Sequence, residues 1–557
     1  MRKMPKLLFI IPLIVITSFG CKKKNNSSSS EDPIVVDINP KFSLESGFYD
    51  EDTKLYLECE KGYDIFYTID GSTPTTNSVL YTNGITLKNI SNKDNVISMV
   101  ENISNLDIYY PTNKIDKCIN LKAVAIDKNG GTSDIIEKTY FVGIDNENLP
   151  VVNLSMSYED LFDYQKGIYV KGKIFDNSPE TVYPEQHEAN YTQKGREWER
   201  KCRFSYFDEN KEFKFTQDIG VRIHGGWSRA FSQKSFNLYA RKEYSGTKSF
   251  KIPFFGGNSL STCMLRSGGY RDTFFTKTRD SLNQDLSDKY KFDNQKSYPV
   301  SVFLNGEYWG IYNLQQRFTD DYVEEKYSID NDKVIIIQND EIDEGVESDL
   351  ILYEQLKQFF IHGDFSSQEV YNQVSDYIDV DEFIEYMSTE LYVGNIDWPG
   401  NNVRLWRSRT VGDHAKEDGK WHFMMYDTDD SENMVPSKCS PSSNPFLNAN
   451  HWKYGPLDEN CILGLMLSKL LENSTFKTLF KSKITNDIGN TFSVENVSAY
   501  LNNKSALLRT PMVKYYNRFV SNDSNTYNEQ FFDSEIDKIG SFFETRYDNI
   551  ATFVGEL

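Results

Sequence analysis

Cysteine pairs at metal-binding spacing are missing from this 557-residue chain: none of its 7 cysteines sits in a CxxC, which argues against a structural zinc site. Histidine is scarce, at 6 residues, and neither an HExxH nor a Ser/His/Asp ordering appears, so metalloprotease and serine-hydrolase chemistry find no support. Basic clustering is absent as well. A net charge of -21 repels a polyanion, and no stripe of Lys and Arg offsets it, so a nucleic-acid partner is disfavoured. The apolar stretch from Leu7 to Ile16 is too short for a membrane-spanning helix. What is abundant is core-forming material: hydrophobic residues make up 39% of the chain, with 35 Tyr and 37 Phe, a composition far from that of a disordered polymer. The length calls for two to four folded units.

The start reads as a targeting signal. Arg2, Lys3 and Lys6 precede the apolar run, and Thr17-Ser18-Phe19-Gly20-Cys21 resembles the lipobox at which bacteria attach a lipid and cleave. The alternative is an ordinary secretory signal with an incidental cysteine. The expected segments are a lipoprotein signal at 1–21 with lipidation on Cys21, and a flexible Lys-, Asn- and Ser-rich tether at 22–38. An exported, lipid-anchored protein of the bacterial cell envelope follows, on the outer membrane or cell surface. The six remaining cysteines could pair in that compartment, Cys59 with Cys118 for example, or stay as buried thiols.

From about 39 to 147 the texture is one of short alternating segments and turns, as in Asp64-Ile65-Phe66-Tyr67-Thr68-Ile69 followed by Asp70-Gly71-Ser72-Thr73-Pro74. This predicts a small antiparallel β-sandwich. Its Tyr67-to-Pro74 block, Leu80-Tyr81 and the Ala123-to-Asp127 strand resemble the chitobiase C-terminal type of immunoglobulin-like domain. Such modules serve mostly as spacers, with glycan binding as the alternative.

Residues 148–557 form the main domain. Strand-like runs (217–224, 235–240, 298–304, 333–338) come early, and helical spacing (278–289, 350–361, 381–392) later. The order predicts an α+β fold with a sheet lobe and a helical lobe. Three segments carry chemistry. In the first, Gly220 to His224 runs into Gly225-Gly226-Trp227-Ser228-Arg229, and a second strand returns near Lys234. Glycine amides, Ser228, Arg229 and a strand lysine can all donate to phosphate oxygens. In the second, Asp397 and Asn402 are five residues apart after a helix, the spacing of a kinase catalytic base and a magnesium-binding Asn. In the third, a strand from Trp421 emerges into Asp427-Thr428-Asp429-Asp430, where Asp427 and Asp429 point the same way if strand geometry continues. A calcium-binding turn or a solvated acidic loop is the plain alternative for that turn.

Together with Met264-Leu265-Arg266-Ser267-Gly268-Gly269, Arg279-Asp280 and the block Val302 to Leu314, these segments resemble the CotH family of atypical kinases over about 180 to 515. The resemblance implies a two-lobed kinase-like domain using ATP and Mg2+. It implies Lys234 on the nucleotide phosphates, the Gly225, Gly226, Ser228 and Arg229 turn around them, Asp397 as catalytic base, and Asn402, Asp427 and Asp429 as metal ligands. The implied partner is a protein acceptor at the surface or exported, phosphorylated on Ser, Thr or Tyr. Where a Glu is expected after Leu314 the chain has Gln315-Gln316, and Gln316 lacks the charge for an ion pair with the lysine. ATP is also scarce outside the cell. Both points favour the alternative of a non-catalytic surface scaffold binding glycan or partner proteins, and transfer of AMP or glutamate would use the same residues.

Overall fold

The computed structural model describes residues 37–106, 108–257, 259–447 and 461–557. Cys21 and nearly all of the tether lie outside them. Cys59 and Cys118 are not paired with each other; they are free thiols, as are Cys202, Cys263 and Cys439.

The N-terminal region is β-rich. Five strands, β1 (Gly47–Tyr49), β2 (Tyr63–Thr68), β3 (Val79–Leu80), β4 (Ile119–Asp127) and β5 (Ile136–Val142), form a sheet in the order β1-β5-β4-β2-β3. All its pairings are antiparallel except β1 with β5, which is parallel, and two short ribbons complete the region. The alternation of β2, β4 and β5 puts Ile65, Leu121, Ala123 and Tyr140 into one small core.

Seven strands then close into a barrel: β6 (Val151–Ser155), β7 (Arg200–Phe207), β8 (Phe213–His224), β9 (Ser235–Tyr239), β10 (Thr262–Arg266), β11 (Ser297–Leu304) and β12 (Glu307–Gln316). The order is β6-β7-β8-β9-β10-β12-β11, and β11 closes the ring by pairing parallel to β6, with Val151 opposite Ser301. Closure removes exposed sheet edges. It was not legible in the sequence, because the closing pair joins residues about 150 apart. A second sheet holds β13 (Val334–Gln338), β14 (Glu341–Glu344), β15 (Arg404–Ser408) and β16 (His422–Phe423) in the order β14-β13-β15-β16. The helices that matter most for the site are α1 (Arg279–Leu286), α2 (Val380–Val393), α3 (Val494–Phe519) and α4 (Glu529–Glu556). One large core runs through barrel, second sheet and helices.

The N-terminal region packs directly against the barrel. Phe141 and Phe48 stack at 4.4 Å, and Phe141 meets Phe207 and Phe303 of the barrel edge-on at 5.2 and 5.0 Å. Around this aromatic plug several polar contacts tie the two regions together. Asn153 of β6 donates to Asn120 of β4 at 2.9 Å, and the buried Glu307 carboxylate at the start of β12 accepts the Val96 and Ser98 amides at 2.6 and 2.8 Å. Backbone bonds from Cys118 to Gly306 and from Tyr308 to Asp116 tie the β11–β12 turn to the same region.

Because Phe141 is fully buried between the two regions, Phe141→Ala is expected to cost about 3–5 kcal/mol in urea denaturation. A loss below about 1 kcal/mol would mean that the docking face contributes little.

Candidate active site

The loop carrying Asp397 is set by the helix before it. Asp379 caps α2 by accepting the Asp381 and Glu382 amides, and Gly394, at φ +73°, ends it in the left-handed conformation glycine favours. The exposed carbonyls at its C-terminus are met by Arg546 of α4, which donates to Leu391 and Tyr392 at 2.8 Å each. Asn395 then bonds Glu390 and the Asp397 amide, and Trp398 donates to the Tyr386 hydroxyl at 2.9 Å. Asp397 Oδ2 accepts Asn401 and Asn402 at 3.1 and 2.8 Å. Asn402, at φ +56°, also reaches the Asp427 carbonyl at 3.5 Å, which leaves its amide oxygen for a cation.

The acidic turn is fastened to this loop by the Ile396 amide, which donates to the Asp430 carbonyl at 3.0 Å. Strand geometry does not continue through it. The strand is only the two residues of β16, and Asp427 lies at φ +59°, so a left-handed residue, not β alternation, turns Asp427 and Asp429 the same way. Both carboxylates accept Nη2 of Arg266, the last residue of β10, with Asp429 at 2.5 Å. Asp280 of α1 completes the cluster: it accepts the Thr428 amide at 3.0 Å and Gln315 at 2.9 Å, and lies 3.8 Å from Arg266 Nη1. Arg271 pairs with Asp430 at 3.2 Å. Gly269 makes room for this approach, since a Cβ there would sit 2.2 Å from the Asp429 carboxylate.

The protonation pattern follows from burial. Burial, with the charge of Asp430 beside it, pushes Asp397 up to about 7. Burial and Asp429 push Asp430 up to about 7, and burial raises Glu390 and Glu432 to about 8. Asp429 is driven well above the carboxylate range by burial and the adjacent Asp427, against the pull of Arg266. Asp280 goes the other way: burial would raise it, but Arg266 and its hydrogen bonds hold it low.

Asp397, Asn402, Asp427 and Asp429 are therefore brought together. The expected phosphate donors of the first segment are not brought to them. Lys234 is fully buried just before β9, and its ammonium donates to the Phe231 carbonyl at 2.7 Å and the Arg229 carbonyl at 2.5 Å, between the rings of Tyr169 and Tyr191. The register explains this. Phe236 pairs with Leu265, so the alternation that places Lys234 on the Phe236 face places Arg266 on the other. Arg229 is buried too, donating to the carbonyls of Gly225, Thr192 and Gln193, and Ser228 is buried beside it. Gly225 turns the chain at φ +114°, while Gly226 faces open space. Lys234, Ser228 and Arg229 thus stabilise the turn instead of presenting free donors. Gln316 does not approach Lys234 either; its side chain accepts the Lys296 amide at 3.0 Å.

The cation at the acidic turn is Arg266, and its acidic partner is Asp280. The signal for it was a strand ending in a basic residue ahead of Gly268-Gly269, a second glycine turn besides the Gly225-Gly226 segment. More positive charge lies nearby. Burial and then Arg317, Arg229, Arg266 and Arg404 hold His224 well below the usual histidine range, so it is neutral. Among the described residues Arg317 has no carboxylate at ion-pair distance.

Among the described residues no three His, Cys, Asp or Glu side chains form a ready-made metal cluster. The set here is mixed: two neighbouring carboxylates and an amide oxygen. These are hard oxygen donors with Asp427 40% exposed, and they suit magnesium.

A family model described as CotH kinase protein matches residues 221–550, and one described as Fn3 associated matches residues 55–140. No curated protein matches the chain. No helix among the described residues is long and apolar enough to cross a membrane.

Between pH 4 and 8 the folded chain holds protons on Asp397, Asp430, Glu390 and Glu432 that an unfolded chain releases, so their share of stability is present at low pH and lost as pH rises. Glu432→Gln is therefore expected to exceed wild type by about 1–3 kcal/mol in urea denaturation at pH 8 and to match it at pH 5. Equal stabilities at both would show that Glu432 ionises freely.

Proposed function

The chain belongs to the CotH kinase family, and from that premise we propose that it transfers the terminal phosphoryl group of ATP, with magnesium, to a Ser, Thr or Tyr hydroxyl of a surface or exported protein. The observation that carries this reading is the convergence of Asp397, Asn402, Asp427 and Asp429, from two separate segments, beside the Arg266 guanidinium.

In this scheme Asp397 takes the acceptor's proton as its oxygen attacks the γ-phosphorus, and ADP leaves. Asn401 and Asn402 aim its carboxylate. Asn402, Asp427 and Asp429 would hold magnesium, which when bound neutralises phosphate charge. Phosphate contacts fall to arginine. Arg266 and Arg317 stand in the positive region around His224, and guanidinium groups bind phosphate in bidentate fashion. The barrel and the helical part would act as the two lobes of a kinase-like domain. Envelope location and the Cys21 lipid rest on the sequence of the first thirty residues. A non-catalytic scaffold is favoured by one observation, the pairing of Arg266 with both candidate metal-binding carboxylates.

Calorimetry of ATP with magnesium on the chain lacking residues 1–32 tests the reading. Magnesium-dependent binding is expected, and Asp427→Ala should abolish it. Asp397→Asn should leave binding within about threefold and lower phosphoryl transfer about 10²–10⁴-fold. Since the base must be ionised, kcat/KM should rise with pH through about 7, the value to which Asp397 is pushed. A folded protein that binds no ATP at millimolar concentration would overturn the proposal in favour of the scaffold.

A further inference from the structure

Arg266 occupies an unusual position for a phosphate-binding residue. It is 5% exposed, at the last position of β10, and one of its nitrogens is shared between two carboxylates that are the candidate ligands of a divalent cation. Its other terminal nitrogen faces Asp280, which is itself locked by Thr428 and Gln315. Two carboxylates held this close repel each other unless a cation lies between them. The fold enforces the closeness. Gly269 lets Asp429 in, the left-handed Asp427 turns its side chain back, and Asp280 pins the intervening residue from the other side.

We infer that Arg266 is the resident counter-ion of the Asp427–Asp429 pair and competes with a divalent cation for the same oxygens. The asymmetry of the pair gives the exchange a direction. Asp429 is 5% exposed and Asp427 40%, so a cation entering from solvent meets Asp427 first, while Asp280 and Asp429 still hold the guanidinium. The Arg266 nitrogen released by Asp427 would then be free for another acceptor. A nucleotide phosphate would accept its hydrogen bonds there; this last part rests on the phosphoryl-transfer reading, and the competition does not. Arg266 thereby makes cation binding weak alone and strong together with a phosphate-bearing partner, which is thermodynamic coupling between two ligands through one side chain.

The test is titration of Mn2+ alone, followed by calorimetry and by thermal midpoint, into wild type and Arg266→Met. The expected result has opposite signs for the two ligands. Mn2+ without nucleotide should bind Arg266→Met at least tenfold more tightly, whereas ATP with saturating Mn2+ should bind it at least tenfold more weakly. An arginine with a merely structural role would weaken both. Should Arg266→Met need the metal to fold, Arg266→Met combined with Asp429→Asn removes one of the two crowded carboxyl groups, and its Mn2+ affinity should fall back to the wild-type level or below. Unchanged or weaker Mn2+ binding by Arg266→Met, in a folded protein, would overturn the inference and leave the kinase reading untouched. Tighter Mn2+ binding with no ATP binding by either protein would support the inference and overturn the kinase reading.

Discussion

The buried guanidinium of Arg266 is the interaction on which the site depends. It stands where three elements that are distant in sequence meet: the end of barrel strand β10, helix α1 through Asp280, and the acidic turn through Asp427 and Asp429. A buried charge that loses its partners is costly, so each partner must be held in place by something else. Asp280 is held by Thr428 and Gln315, Asp429 by the absence of a side chain at Gly269, and Asp427 by its own left-handed backbone. The acidic turn is also bonded to the Asp397 loop. The barrel, through β10 and β12, therefore positions residues that the sequence places more than a hundred positions later.

Around that pair the interior is more acidic than its cations can balance. Arg266, Arg271 and Arg279 face Asp272, Asp280, Asp427, Asp429 and Asp430, and Glu390 and Glu432 are buried nearby. The structure responds by holding protons on several of these carboxyl groups near neutrality. Asp397, pushed up to about 7 by burial and the charge of Asp430, is the member of this group that the Asn401 and Asn402 amides hold in place.

The N-terminal region belongs to the same unit. The Phe141 plug and the Glu307 caps lie at one end of β12, and Gln315, which holds Asp280, lies near the other. One strand thus runs from the interdomain face to the site. Burial along it is continuous from Glu307 to Gln315, so side chains on both of its faces are packed, and the block from Val302 to Leu314 that carried much of the family resemblance runs into it.

The sequence by itself determined the local elements and the acidic chemistry. Periodicity placed some strands and helices of the main domain, among them those at 217–224, 298–304 and 381–392, but not the long helices α3 and α4, and helix α2 followed by Asp397, Asn402 and the Asp427 turn was legible because those residues lie close along the chain. Tertiary structure decided which cation serves them. Lys234 follows the Gly225-Gly226 turn by eight residues and Arg266 precedes Gly268-Gly269 by two, and neither spacing says which side chain reaches the carboxylates. The register of β9 against β10 sends Lys234 inward to carbonyls and aromatic rings, and Arg266 outward to the carboxylates. The same holds for barrel closure and for the docking of the N-terminal region. Side-chain facing in a sheet is fixed by pairing between distant strands, and a one-residue shift in that pairing reverses it.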